Sequence, residues 1–128
     1  MARYGTDMSD ILNPGNELFR RTVQTKPPRF YVDKTDFIAQ MNNIICSNEQ
    51  YICFMRPRRF GKTITAQMLS AYYSKGCDSK ELFDRFKISA DSAYIEHLNK
   101  YNVIYIDMNF ILQKYESFAS NLSKNEYY

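Results

Sequence analysis

Two hydrophobic rhythms alternate along the chain: stripes at helical spacing, and short continuous runs of β-prone residues. Asn13-Pro14-Gly15-Asn16 is turn chemistry that leads into a short segment around Glu17-Leu18-Phe19-Arg20-Arg21. Lys26-Pro27-Pro28 breaks any helix and drives extended backbone into Phe30-Tyr31-Val32. Asp33 is the expected N-cap of the next helix, whose Phe37, Ile38, Met41, Ile44 and Ile45 share one face. Ser47-Asn48-Glu49 ends that helix, and Tyr51-Ile52-Cys53-Phe54-Met55 follows as a strand candidate.

Beyond a basic turn, Ile64, Met68, Ala71 and Tyr72 repeat as the buried stripe of an amphipathic helix, with Gly76 as its C-cap. Asp78-Ser79-Lys80-Glu81 has the spacing of a capping box, with Leu82, Phe83 and Phe86 as the apolar face behind it. A helix from about Asp91 to Asn99 is predicted to bury Tyr94, Ile95 and Leu98. Val103-Ile104-Tyr105-Ile106-Asp107 is a second strand candidate. Tyr115, Phe118, Ala119 and Leu122 give the segment from Gln113 to Tyr128 mild helical character. Residues 1–10 are polar and expected to be loose, which leaves 11–128 as one unit without internal repeats.

Composition narrows the class only a little. The 128 residues are 45% apolar and 24% charged, ordinary for a soluble globular chain. Aromatic residues reach 16%, all Tyr and Phe, which argues against general disorder. A net charge of +3 is too small to imply nucleic acid by itself. Cys46, Cys53 and Cys77 are odd in number and lack C-x-x-C spacing, which points away from a disulfide framework or zinc and towards a reducing compartment. The lone His97 reads as an ordinary packed or surface residue. No apolar run approaches the ~18 residues of a membrane span, and the N-terminus lacks a signal-peptide core. A cytoplasmic location is the expectation.

Local charge changes the picture more than net charge does. Arg56, Arg58, Arg59 and Lys62 crowd the turn between the first strand candidate and the helix that follows. Strand, loop, Gly61-Lys62-Thr63 and helix is the order in which a phosphate-binding loop is built. A polyphosphate needs many donors converging on a small volume, and successive backbone N–H groups at the positive end of a helix supply them. Gly61 lets the backbone approach, Lys62 places a cation on the outer phosphates, and the Thr63 hydroxyl can ligate Mg²⁺. Against the pattern G-x-x-x-x-G-K-[ST], Arg56 stands where the first Gly belongs. The alternative on spacing alone is a basic surface turn.

The stretch Arg56-Pro57-Arg58-Arg59-Phe60-Gly61-Lys62-Thr63, with YICFM before it and MLSAYY after it, resembles the AAA-ATPase-like family of P-loop ATPases. That family's usual loop is RPRRFGK[ST], so Arg56 becomes the expected residue. Tyr31-Val32-Asp33-Lys34-Thr35 resembles the YVDKT signature one helix before the loop. Leu82-Phe83, Ile88 and Asn99-Lys100-Tyr101 leading into VIYID resemble later landmarks, so the likeness spans about Leu12 to Phe110.

The resemblance implies an α/β P-loop NTPase fold, a three-layer αβα arrangement on a parallel sheet. It also implies ATP with Mg²⁺ as ligands. Arg58, Arg59, Phe60, Gly61, Lys62, Thr63 and Ile64 would form the cradle, Lys62 on the β- and γ-phosphates and Thr63 on the metal. The YVDKT segment would lie near the adenine or close the site; its plainer alternative is a strand end with Asp33 as a helix cap.

Hydrolysis also needs an acidic residue behind the metal and a group that orients water. The family's Walker B strand ends in Asp-Glu, and no such run is present, so no catalytic residue is assignable. Asp107 ends an apolar run, but Met108 follows where the Glu belongs. The chain therefore reads as the incomplete N-terminal part of a longer ATPase, whose partners would be the remainder of that domain and a C-terminal PD-(D/E)XK nuclease-like domain. With the sheet incomplete, the isolated chain is expected to be marginally stable or prone to aggregate. The competing functions are a nucleic-acid phosphate-binding module using Arg56 to Lys62, and an inactive remnant of a truncated gene.

Overall fold

The computed structural model describes residues 13–24, 32–55 and 61–125, with side chains as far as Asn121. The expectations for 1–10 and for Lys26 to Tyr31 lie outside the described residues. Helix α1 spans Glu17–Gln24 and α2 spans Asp36–Asn42. The long α3, Lys62–Tyr73, follows the loop, and the single turn α4 is Lys80–Phe83. A 3-10 turn at Lys87–Ala90, a one-turn α5 at Tyr94–His97 and the long α6 at Met108–Asn125 complete the order.

The core gathers around the C-terminal half of α3. Met68, Ala71 and Tyr72 are buried there, as the helical stripe foretold, and Tyr73 is buried with them. Phe19 on α1 stacks on Phe83 at 5.3 Å, and Tyr72 meets Phe83 edge-on at 5.5 Å. Ile38, Leu82, Ile88, Tyr94 and Leu98 close the cluster. The tyrosine hydroxyls and Asn42 amide taken inside are paired, while Ser70 Oγ and Arg20 Nε are buried without a partner among the described residues. The Tyr73 hydroxyl donates to Asn42 Oδ1 at 2.6 Å, Asn42 Nδ2 donates to the Tyr72 hydroxyl at 3.2 Å, and that hydroxyl donates to the Tyr94 carbonyl at 2.7 Å. Burial raises the Tyr73 phenol above its ordinary range, and the neighbouring Tyr72 and Tyr101 push the same way.

The far end of α3 is sealed from outside the helix. A helix leaves its last carbonyls without internal partners. Asn99 sits at φ 56°, a left-handed conformation that Asn tolerates better than most residues. From there its backbone N–H donates to the Tyr72 carbonyl at 2.7 Å. Its side-chain amide shares itself between the carbonyls of Ala71 at 3.1 Å and Ser74 at 2.9 Å. The C-cap is therefore Ser74 with Asn99 as its plug, not Gly76, which lies in the turn beyond.

The expected three-layer αβα fold with a parallel sheet is not formed. Among the described residues the only β contact is one parallel bridge between Ser74 and Tyr101. Neither strand candidate, Tyr51 to Met55 or Val103 to Asp107, forms a strand among the described residues. Tyr51 is 89% exposed and Ile104 73%. β-prone residues favour a strand only when a neighbouring strand accepts their hydrogen bonds, and among the described residues none is formed alongside either run.

Several helix boundaries also differ. The helix expected from Asp91 to Asn99 shrinks to Tyr94–His97, which buries Tyr94 but leaves Ile95 exposed. At the proposed capping box, Asp78 accepts from Lys80 N–H at 3.1 Å, two residues on, and the N-cap is Ser79 without a side-chain bond. The last helix starts earlier than its apolar stripe suggested, because Asp107 caps it by accepting from the N–H groups of Asn109 at 3.0 Å and Phe110 at 3.2 Å. Its Tyr115 and Phe118 face solvent.

Candidate functional site at the start of α3

Gly61 stands at φ 80°, ψ 24° as the N-cap of α3, and its carbonyl accepts the first helical bond from Thr65 N–H at 2.9 Å. Any other L-residue would be strained in that left-handed conformation. Lys62 and Thr63 occupy the first turn and are exposed, while Ile64 is half-buried against the core. The first turn carries no acidic side chain. A helix N-terminus holds a partial positive charge that favours anions, and Lys62 adds to it. Arg58, Arg59 and Phe60, expected to complete the cradle, lie outside the described residues.

The segment before the loop folds against it. Asp33 is not the N-cap of α2; that position belongs to Thr35, which has no side-chain capping bond. Instead Asp33 Oδ1 accepts from the Thr35 N–H at 2.9 Å and from its hydroxyl at 2.6 Å, while Oδ2 accepts from Lys87 N–H at 2.9 Å. Thr35 is fully buried, and its Oγ1 accepts from Ile88 N–H at 3.1 Å. Burial alone would raise the Asp33 carboxyl, but the hydrogen bonds from Thr35 and Lys87 outweigh it and hold the group below its ordinary value. Between these anchors Lys34 is exposed, and its Nζ lies 2.9 Å from where a Cβ on Gly61 would sit.

Alongside α3, Phe37, Met41, Ile52 and Phe54 face Lys62, Thr65, Ala66 and Leu69 across an apolar cavity of about 290 Å³. Asp107 Oδ1 is engaged in capping α6. His97 is equally committed, its Nδ1 at 2.7 Å from the Tyr101 hydroxyl. Among the described residues no cluster of three or more His, Cys, Asp or Glu is built to hold a metal. No helix among them is long and apolar enough to cross a membrane.

A family model described as Predicted AAA-ATPase matches residues 19–126. The chain belongs to the AAA-ATPase-like family. No curated protein and no solved structure matches it. For this AAA-ATPase-like chain the match runs from Phe19 in α1 past the loop and through α6, so Gly61, Lys62, Thr63 and the Asp33 to Thr35 anchor all fall inside it. Lys34 had no individual role in the sequence. The signal that could have singled it out is the alternation of Asp33 and Thr35, two side chains suited to buried hydrogen bonds, around a cation.

Proposed function

We propose that the chain binds ATP with Mg²⁺ at the start of α3. The observation that carries this reading is Gly61 in a left-handed conformation at the head of a 12-residue helix whose first turn is Lys62 and Thr63, free of acids. The N–H groups of the first turn suit phosphate oxygens, and the space a Gly61 Cβ would fill is bordered by the Lys34 ammonium. Arg58, Arg59, Phe60 and Gly61 would wrap the phosphates, Lys62 would hold the β- and γ-oxygens, and the Thr63 hydroxyl would ligate the metal. Mg²⁺ would supply charge neutralisation between the phosphates. Ile64, whose side chain packs against the core, would complete the cradle through its main chain.

Binding is the function proposed; turnover is not, because the sequence carries no apolar run ending in Asp-Glu to hold the metal and orient water. Titration of the full chain with Mg²⁺-ATP, wild type against Lys62→Ala, tests the reading. A loss of affinity of about tenfold or more is expected when a charge-assisted contact to phosphate is removed. Equal affinity in the two proteins would sink it.

A further inference from the structure

We propose that Lys34 is a second phosphate-binding cation of this site, presented from the anchored Asp33 to Thr35 segment onto the Gly61 turn. The inference rests on the nucleotide reading and adds to it which part of the ligand the segment serves: the polyphosphate, not the base.

Three independent features lead there. The first is position: the Lys34 ammonium stands 2.9 Å from the point where Gly61 would carry a Cβ, so the glycine side of the turn is also the lysine side. The second is fixation. On either side of Lys34, Asp33 and Thr35 are locked by hydrogen bonds of 2.6 to 3.1 Å to each other and to Lys87 and Ile88. A long flexible side chain is thereby launched from a backbone that does not wander, which lowers the entropy lost on gripping a ligand. The third is charge. Lys62 already sits at the positive pole of α3 in a turn without acids. A second ammonium on the Gly61 side of the turn adds to the positive pole that polyphosphate oxygens would meet.

The chemistry makes a specific demand. A cation aimed at the polyphosphate discriminates among nucleotides by phosphate number, and leaves binding of the nucleoside part untouched. Affinities of the full chain for ATP, ADP and AMP, each with Mg²⁺, should be measured for wild type, Lys34→Met, Lys34→Arg and Lys62→Ala. Lys34→Met is expected to weaken ATP about tenfold, ADP less, and AMP by less than twofold, while Lys34→Arg keeps most of the preference for ATP. The salt dependence of ATP binding should also become shallower in Lys34→Met, as one fewer cation meets the phosphates.

Unchanged ATP affinity in Lys34→Met, or equal weakening of ATP and AMP as a merely structural role would give, overturns the proposal. Lys62→Ala separates this from the larger reading. If it abolishes ATP binding while Lys34→Met does not alter it, only the role of Lys34 fails. If Lys62→Ala also binds ATP like wild type, the nucleotide site itself fails.

Discussion

The two ends of α3 belong to different worlds. At the C-terminal end, Tyr72 meets rings from α4 and α5, Tyr73 meets Tyr101, their hydroxyls are paired, and Asn99 plugs the last carbonyls. At the N-terminal end, Lys62 and Thr63 are open to solvent, Lys34 leans in from outside, and an apolar cavity runs beside the helix. The same contrast extends to the rest of the chain. Phe83 is fully buried, whereas Phe118 on α6 is 63% exposed. One end of the helix is where folding free energy concentrates; the other holds groups whose value lies in being accessible.

The contrast is broken most directly by truncating one ring in each region. Phe83→Ala should cost about 3–5 kcal/mol, since it removes a buried ring that touches Phe19, Tyr72 and Phe86. Phe118→Ala should change stability by no more than about 0.5 kcal/mol. Urea unfolding of both variants checks this, and comparable losses would mean that α6 is packed in solution.

Next in size is the helix plug. Asn99→Ala forfeits the bonds to the Ala71 and Ser74 carbonyls and leaves a non-glycine residue at positive φ, for a loss of about 1–3 kcal/mol. Asn99→Gly keeps the backbone conformation and should lose less. If the two variants unfold alike, the side-chain bonds matter more than the conformation.

The buried phenols of the packed region give it a pH signature. Burial raises Tyr72, Tyr73 and Tyr94 above the ordinary 10.0. Unfolded tyrosines lose their protons near that value while folded ones still keep theirs, so the unfolded state binds fewer protons there. Stability is therefore fully present below pH 10 and falls as pH climbs beyond it. Chemical denaturation at pH 9 and at pH 11, with tyrosinate absorbance as the second probe, reads the effect; a flat profile contradicts it.

A local effect belongs to the open region. Asp107→Ala removes the cap on α6 and should cost that helix about 1 kcal/mol. It should appear as lost far-ultraviolet helicity with little change in the main unfolding midpoint. A matching drop in the midpoint would show that α6 and the core unfold together.

The sequence was most readable where a pattern depends on local geometry. The stripe of Met68, Ala71 and Tyr72 needs only the helical repeat, and the turn at Gly15 needs only its own residues, where the Asn13 side chain accepts the Gly15 N–H at 2.9 Å. Reading failed where the answer sits elsewhere in the chain. YICFM and VIYID carry strand propensity, but a ladder is a property of two segments, and propensity names only one. Asp33 looked like a helix cap because its true partners, Lys87 and Thr35, include a residue more than fifty positions away. At the candidate site, Gly61, Lys62 and Thr63 were legible as a contiguous motif, while the approach of Lys34 requires two segments separated by a helix to meet.

One mechanical consequence follows from the seal at the end of α3. Twelve residues of helix make a strut about 18 Å long. It is clamped at Ser74, where the bridge to Tyr101 and the Asn99 plug meet, and its other end is Gly61. A rod held at one end can respond to a push on its tip only by pivoting. A tilt of about 3° at the clamp moves a tip at that radius by about 1 Å. Tyr101 and the run that follows it stand at the pivot, on the short arm of that lever.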